Sequence, residues 1–212
     1  GAKDKLSHAG VYGVEQSMDA LERLYDIDID YYLRINFTGF VDIIDALGGV
    51  DVYSDYDFTV QNIKEYHKGY NHLDGLEALA FARERYSFAD GDYQRARNQM
   101  EVIRAVVDKA VSSSLLANYN SVMNAVAGSF ETNMPSQQIA SLVRMQLSDM
   151  SKWNITSYAP AGQSTYAETY SMPGQQLYVI IPDENEVAEA KEKIREVYGT
   201  DDQSNDSNES SQ

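Results

Sequence analysis

Apolar positions alternate between helix-like and strand-like spacing along the first part of the chain. Residues 14–25 carry apolar side chains at helical spacing, and residues 31–37 (YYLRINF) are rich in aromatic and β-branched types, as in a strand. Thr38 is predicted to cap a short helix that Gly48-Gly49 ends, ahead of a strand at 50–53. Strand, helix and strand in close succession predict a mixed α/β fold, with a central mixed β-sheet between two helical layers (α-β-α).

The rest of the chain has a mainly helical pattern. Residues 55–72 lack a clean period and are predicted to form a short strand or hairpin with a loop. The remaining predicted helices and strands are, in turn, helices at 76–83, 92–113, 115–130, 136–150 and 184–198 (capped by Asp183) and strands at 155–159 and 176–181. Residues 200–212 contain no large apolar side chain, so we expect a disordered acidic tail after one domain spanning 1–199.

The charge balance narrows the possible ligands. Acidic residues number 33 against 17 basic ones, which gives a net charge of −16. A chain this acidic is repelled by phosphate backbones, so we do not expect it to bind nucleic acid. There is no cysteine, which excludes disulfides, thiolate metal sites and cysteine nucleophiles. Any anionic ligand therefore needs a local concentration of positive charge.

Arginines supply that local charge. Five of the nine arginines in the chain lie within 22 residues: Arg83, Arg85, Arg95, Arg97 and Arg104. One interpretation is that they are helix-surface charges paired with nearby carboxylates. The other is that some of them converge on an oxyanion. The three histidines show neither a matching nucleophile nor metal-ligand spacing, and we interpret them as surface or loop residues: His8, His67 and His72.

Helical geometry sorts the arginines. At about 100° per residue, the apolar residues of the helix that begins near Asp92 gather on one side, and Arg95 and Gln99 flank that inward face. Arg97 and Arg104 fall on the opposite side and are predicted to be solvated. An arginine and a glutamine one turn apart beside a buried face need a partner for their donors.

The position of Arg95 favours an anionic partner. It lies in the first turn of its helix, where free backbone N–H groups and the helix dipole favour negative charge. Arg83 and Arg85 end the preceding helix, across a short loop. Three guanidinium groups and an amide suit a phosphate or pyrophosphate better than a single carboxylate.

Several segments together resemble the motifs of the LytR-CpsA-Psr family, over residues 4 to 112 and in the family's order. They are 4–9 (DKLSHA), 31–40 (YYLRINFTGF), 45–52 (DALGGVDV), 73–75 (LDG) and 80–95 (AFARERYSFADGDYQR) with Gln99. The resemblance implies a domain that binds a polyprenyl pyrophosphate. Arginines would hold its head group, a hydrophobic tunnel its lipid tail, and Mg²⁺ would bridge the phosphates to acidic residues.

Carried over by motif, the implied head-group ligands are Lys5, Arg83, Arg85, Arg95 and Gln99. The three arginines would also be the catalytic groups. Apolar residues such as Phe40, Ile44 and Ile103 would line the tunnel, although the same residues could equally form the core.

The resemblance also implies a reaction and a location. A wall-sugar hydroxyl would attack the sugar-proximal phosphorus and polyprenyl phosphate would leave, which attaches a teichoic acid or capsular polysaccharide to peptidoglycan. Asp92 could act as the base, although helix capping explains it equally well. The protein would work on the extracellular face of the membrane, held by a single N-terminal helix. The alternative is a non-catalytic domain that binds polyprenyl phosphates or acts as a transcriptional attenuator.

The chain departs from the family pattern in two respects. Asn98 and Met100 stand where the family usually has an arginine and a second glutamine. Either one head-group ligand is missing, or Arg97 substitutes for it if the helix is rotated. The family's first strands, which carry the Mg²⁺ carboxylates, would lie upstream of Gly1. We therefore expect a domain that lacks those strands and the membrane helix and whose activity is impaired.

Overall fold

The computed structural model describes residues 3–205, with side chains as far as Val197. They form two compact units. One combines the first 30 residues with those from Ser157 onward, and the other comprises Tyr31–Thr156. We describe each unit by itself, and the prediction of a single domain over 1–199 stays a prediction.

Helices and strands alternate along the chain. The helices are α1 (Leu6–Ala9), α2 (Val14–Tyr25), α3 (Phe37–Ala46), α4 (Gly75–Arg83), α5 (Gly91–Ala110), α6 (Ser113–Ala117), α7 (Tyr119–Ala125), α8 (Ser136–Asp149) and α9 (Glu184–Asn205), with a 3₁₀ turn at Gly10–Tyr12. The strands are β1 (Leu33–Ile35), β2 (Val50–Ser54), β3 (Phe58–Val60), β4 (Lys64–Tyr66), β5 (Gly69–Leu73), β6 (Phe130–Thr132), β7 (Gly162–Thr169) and β8 (Met172–Pro182).

The strands pair two by two and antiparallel. The partners are β1 with β6, β2 with β5, β3 with β4, and β7 with β8. The predicted mixed α/β class is confirmed, and within the described residues its strands form four small sheets in place of one central sheet. The strands from β1 to β6 have only three to five residues each. Each sheet is therefore small, and its stability depends on the helices that pack against it.

The core of the unit 31–156 lies beside β2 and β5. Burial alternates along β2, whose Val50 and Val52 point inward and are fully buried. They pack in one apolar cluster with Ile44 of α3 and Phe81 of α4. Truncating a buried side chain of this size to alanine costs about 2–5 kcal/mol, so this cluster is the main source of the unit's stability.

Close backbone contacts hold α3 and α4 together. A Cβ added at Gly75 would lie 2.4 Å from the carbonyl oxygen of Val41, so only glycine allows this approach. Asp74 caps α4 in a reciprocal capping box with Glu77: each side chain accepts from the other's backbone N–H, at 2.9 and 3.1 Å. The helix that ends at Arg83 is therefore fixed at its beginning.

Three predicted elements differ from the structure. The cap of α3 is Asn36, not Thr38, because the Asn36 carboxamide oxygen accepts the N–H of Gly39 at 2.7 Å. The helix predicted at 115–130 is two short helices followed by β6, with the break at Asn118, which is the cap residue of both. The strand predicted at 155–159 is irregular, and the chain forms β7 further on. The strand β7 is polar and many of its residues are exposed, so its sequence carries little hydrophobic signal.

The other unit contains the β7–β8 hairpin and three of the helices. Asp183 caps α9 as predicted, accepting the N–H of Asn185 at 2.8 Å. Because α9 continues to Asn205, it includes the first residues of the predicted tail, while residues 206–212 lie outside those described. The disorder of that tail stays a prediction. None of the described helices is long and apolar enough to cross a membrane.

Candidate functional site

Gly91 brings the beginning of α5 against the end of the preceding segment. A Cβ built on Gly91 would lie 2.3 Å from the carbonyl oxygen of Arg85 and 3.4 Å from the Cβ of that residue. Any larger side chain would push the two backbones apart. The Arg85 segment and the first turn of α5 can therefore touch because position 91 is glycine.

Two predicted ligands meet at one carboxylate oxygen. The guanidinium of Arg95 lies 3.2 Å from Oδ1 of Asp92, and that of Arg85 lies 3.7 Å from the same atom. The three side chains are between 36% and 50% exposed, so the group is open to solvent. The sequence thus correctly predicted that Arg85 and Arg95 lie together, and the structure adds Asp92 between them.

Tyr86 is a second partner of the Arg85 guanidinium. Arg85 donates a hydrogen bond of 2.7 Å to the Tyr86 hydroxyl, and its guanidinium lies 4.8 Å from the centre of that ring. The hydrogen bond to the Tyr86 hydroxyl, with the nearby carboxylate of Asp92, raises the pKa of Arg85 further above its usual range. Arg85 therefore remains cationic at any physiological pH.

Arg83 lies at the end of α4 and faces α3. Its guanidinium carbon lies 4.4 Å above the ring of Phe37, a cation–π contact, and its side chain is exposed. The structure gives Arg83 no direct contact with Asp92. Arg83 is therefore not part of the pair formed by Arg85 and Arg95, although it adds positive charge to the surface of this unit. Phe37 was not predicted as part of the site, although it lies within the family-like segment 31–40 and begins a capped helix.

The inward face of α5 differs from the predicted one. The buried residues are Gln94, Asn98, Val102 and Ala105, so Gln99 is exposed on another side of the helix. The prediction assigned the most hydrophobic positions of the helix to its buried face. It was wrong because the side-chain amides of Gln94 and Asn98 are hydrogen-bonded and can therefore be buried. Gln94 donates to Asn98 at 2.8 Å, and Asn98 donates to the carbonyl oxygen of Phe81 at 3.2 Å.

Arg97 and Arg104 are engaged in local ion pairs. Arg97 contacts Asp90 at 2.5 Å and donates to Gln94 at 2.8 Å, so it continues the buried amide chain and does not point toward Asp92. Its hydrogen bond holds the pKa of the Asp90 carboxyl below its usual range. Arg104 lies 3.6 Å from Glu101 on its own helix. The helix is therefore not turned in the way that would let Arg97 substitute for the family's missing arginine.

Lys5 belongs to the other compact unit. Its backbone N–H donates to Asp4 at 2.7 Å, and the same carboxyl group accepts from His8 and Ser171. His8 uses Nδ1 toward both Asp4 and Ser171, whereas a catalytic triad needs the serine and the carboxylate on opposite ring nitrogens. This cluster ties the first residues to the β7–β8 turn, and His8 is half-buried there rather than a free surface residue.

The predicted tunnel residues lie in different environments. Ile44 is fully buried in the core, Phe40 packs against that core, and Ile103 is 50% exposed. An open cavity of about 390 Å³ lies elsewhere in the same unit, where α6 and α7 meet α8, and Leu116 and Val143 are among its lining residues. Ile44 is thus a core residue, which was the alternative interpretation of the sequence.

The described residues contain no ready-made cluster of metal ligands. Residues 3–197 contain no group of three or more histidine and carboxylate side chains that could hold a metal ion. At the arginine pair the single carboxylate, Asp92, is already compensated by two guanidiniums. The Mg²⁺ implied by the sequence resemblance stays a prediction, because one or two carboxylates and the phosphates of a substrate are enough to hold this ion.

Known proteins identify the fold and the family. The LytR_cpsA_psr family model matches residues 1–196. B. subtilis TagV has 28% sequence identity and a TM-score of 0.76 over 92% of this chain and 75% of its own. The Lin1025 protein of Listeria innocua has 32% identity and a TM-score of 0.72 over 91% of this chain and 80% of its own. The structure of TagT bound to LI-WTA has 27% identity and a TM-score of 0.70 over 91% and 70%.

Curated relatives agree. The Bacillus cereus polyisoprenyl-teichoic acid–peptidoglycan teichoic acid transferase TagU is 39% identical over 140 residues, which are 66% of this chain and 46% of that protein. The Bacillus mycoides protein of the same name is 40% identical over the same shares. The chain thus matches about half the length of these relatives. Because the LytR_cpsA_psr family model matches residues 1–196, the chain belongs to the LytR-CpsA-Psr family.

Proposed function

We propose that the protein attaches a lipid-linked glycopolymer to peptidoglycan and binds the pyrophosphate of the polyprenyl carrier at Arg85 and Arg95. The observation that carries the proposal is the convergence of both guanidiniums on one oxygen of Asp92. A site that holds two cations against one oxygen can hold a phosphate oxygen in the same way. Arg83 and Gln99, which belong to the same compact unit, are proposed as further ligands of the head group.

The names of the relatives support the choice of substrate. The TagU relatives are named as transferases of teichoic acid from a polyisoprenyl carrier to peptidoglycan, and a TagT structure is described as bound to LI-WTA. Teichoic acid is therefore preferred here to capsular polysaccharide. The proposed place of action is the extracellular face of the cell membrane, where peptidoglycan is found.

The proposed reaction is a phosphoryl transfer. The acceptor hydroxyl forms a bond to the sugar-proximal phosphorus, the bond from that phosphorus to the bridging oxygen breaks, and polyprenyl phosphate leaves. The hydroxyl proton passes to a base that we do not assign. Negative charge grows on the bridging and terminal oxygens, and Arg85 and Arg95 stabilise it from fixed positions, aided by Arg83.

A binding experiment tests the site. Geranylgeranyl pyrophosphate is titrated into the wild type and the variants Arg85→Ala and Arg95→Ala, with thermal stability as the readout. At ligand 100-fold above Kd, binding adds about 2.7 kcal/mol to the stability of the wild type, and each variant should lose most of that gain. Arg144→Ala is the matched control, since it removes the same charge from an exposed position on α8. An equal gain in Arg95→Ala and wild type would refute the site.

A non-catalytic role is the second candidate. A matching structure from Enterococcus faecalis, with 29% identity and a TM-score of 0.76, is described as a transcriptional regulator. A binding domain would bind the pyrophosphate but release no polyprenyl phosphate. Incubation with a lipid-linked teichoic acid precursor and peptidoglycan, followed by mass spectrometry of the lipid, separates the two roles.

A further inference from the structure

We propose that Asp92 is an internal competitor for the head group, which occupies the arginine pair until the ligand displaces it. This inference rests on the proposed function, because it concerns the same two guanidiniums. Asp92 presents a single oxygen to both: 3.2 Å from Arg95 and 3.7 Å from Arg85. A phosphate oxygen bound between these cations would take the position that Oδ1 now holds.

The carboxylate is suited to displacement. The Asp92 side chain is 50% exposed, and so open an ion pair contributes little net free energy because water solvates the separated charges nearly as well. Asp92 is the second residue of α5, where the positive end of the helix dipole still favours its charge after it leaves the arginines. A pyrophosphate carries more negative charge than one carboxylate and offers several acceptor oxygens, so it outcompetes Asp92 for the same donors.

The opposite role is also physically defined. Two guanidiniums held near one point repel each other, and the carboxylate between them could serve mainly to keep them together. Asp92 would then be a positioning residue, and removing its charge would weaken ligand binding. The competitor role predicts tighter binding instead, so the sign of the change distinguishes the two.

Asp90 provides a matched control. It lies two residues before Asp92 and carries the same charge, but it pairs with Arg97, on the side of the buried amide chain. Asp90→Asn therefore removes an equal charge from the same turn without freeing the proposed donors. A general gain in anion binding caused by lower net charge would appear in both variants.

The test compares geranylgeranyl pyrophosphate affinity of the full chain as wild type, Asp92→Asn, Asp90→Asn and Arg95→Ala, by isothermal titration at about 0.15 M salt. We expect Asp92→Asn to lower Kd by about threefold to tenfold, with Asp90→Asn within about twofold of the wild type. An unchanged or raised Kd in Asp92→Asn overturns the inference, as does an equal gain in Asp90→Asn. If Arg95→Ala loses binding while Asp92→Asn gains none, only this inference fails. If the wild type does not bind, or Arg95→Ala binds equally well, the proposed function fails and takes the inference with it.

Discussion

Asn98 joins the end of α4 to the first turns of α5, and its replacement should destabilise the unit that carries the arginine pair. The residue is 3% exposed, accepts from Gln94 and donates to the carbonyl oxygen of Phe81. The Phe81 carbonyl is among the last four of α4, so no backbone N–H within that helix donates to it. Asn98→Leu keeps the branching of the side chain, at a larger volume, but leaves the side-chain N–H of Gln94 and the carbonyl oxygen of Phe81 unpaired.

The magnitude follows from those two groups. Each buried polar group left unpaired costs about 1–3 kcal/mol, and the leucine side chain regains part of this through apolar burial. We expect a net loss of about 2–4 kcal/mol in the free energy of unfolding. With a urea slope of about 2 kcal/mol per molar, the middle of the usual range, the unfolding midpoint should fall by roughly 1–2 M.

The chain provides its own probe for this assay. Trp153 is the only tryptophan, and it lies within the unit 31–156, so its fluorescence reports the unfolding of that unit. Gln99→Leu is the control, because Gln99 is exposed on the same helix and its replacement should shift stability by no more than about 0.5 kcal/mol. Equal urea midpoints for Asn98→Leu and Gln99→Leu would refute the reasoning.

Three further variants test separate features of this unit. Asp74→Ala removes the α4 cap and should cost about 1 kcal/mol in urea unfolding, whereas the same change at the exposed Asp108 should not. Gly91→Ala should separate the Arg85 backbone from α5 and weaken geranylgeranyl pyrophosphate binding in titration; unchanged affinity would contradict the role assigned to the close approach of Gly91 to the Arg85 backbone. Because Arg97 lowers the pKa of Asp90 in the folded state, their pair stabilises the fold above the ordinary pKa of 3.8 and is lost as pH falls through the folded pKa. The urea midpoint should thus fall more in wild type than in Asp90→Asn between pH 6 and pH 3, and equal falls would refute this.

Local rules explain how much of the fold the sequence could predict. The bounds of α2 are those expected from its apolar spacing, and Asp183 caps α9 as predicted, because both depend on neighbours within one turn. The pairing of β6 with β1 depends on contacts about 100 residues apart in sequence, which no short window contains. The strand β7 was missed for a different reason: its sequence is polar and carries little hydrophobic pattern, and its strand conformation is evident only from its pairing with β8.

The site shows the same division between local and distant information. Arg85 and Arg95 could be placed together because the connection between α4 and α5 is short, and Gly91 is the residue that makes their approach possible. The orientation of α5 could not be predicted, since hydrophobicity alone assigns Gln94 and Asn98 to the surface. A buried amide pair is stable only when each donor meets an acceptor, and the acceptor that completes this one is a backbone carbonyl at the end of another helix. A sequence reports residue types but not which carbonyl lies within 3.2 Å, so the face that positions the arginines becomes apparent only from the folded chain.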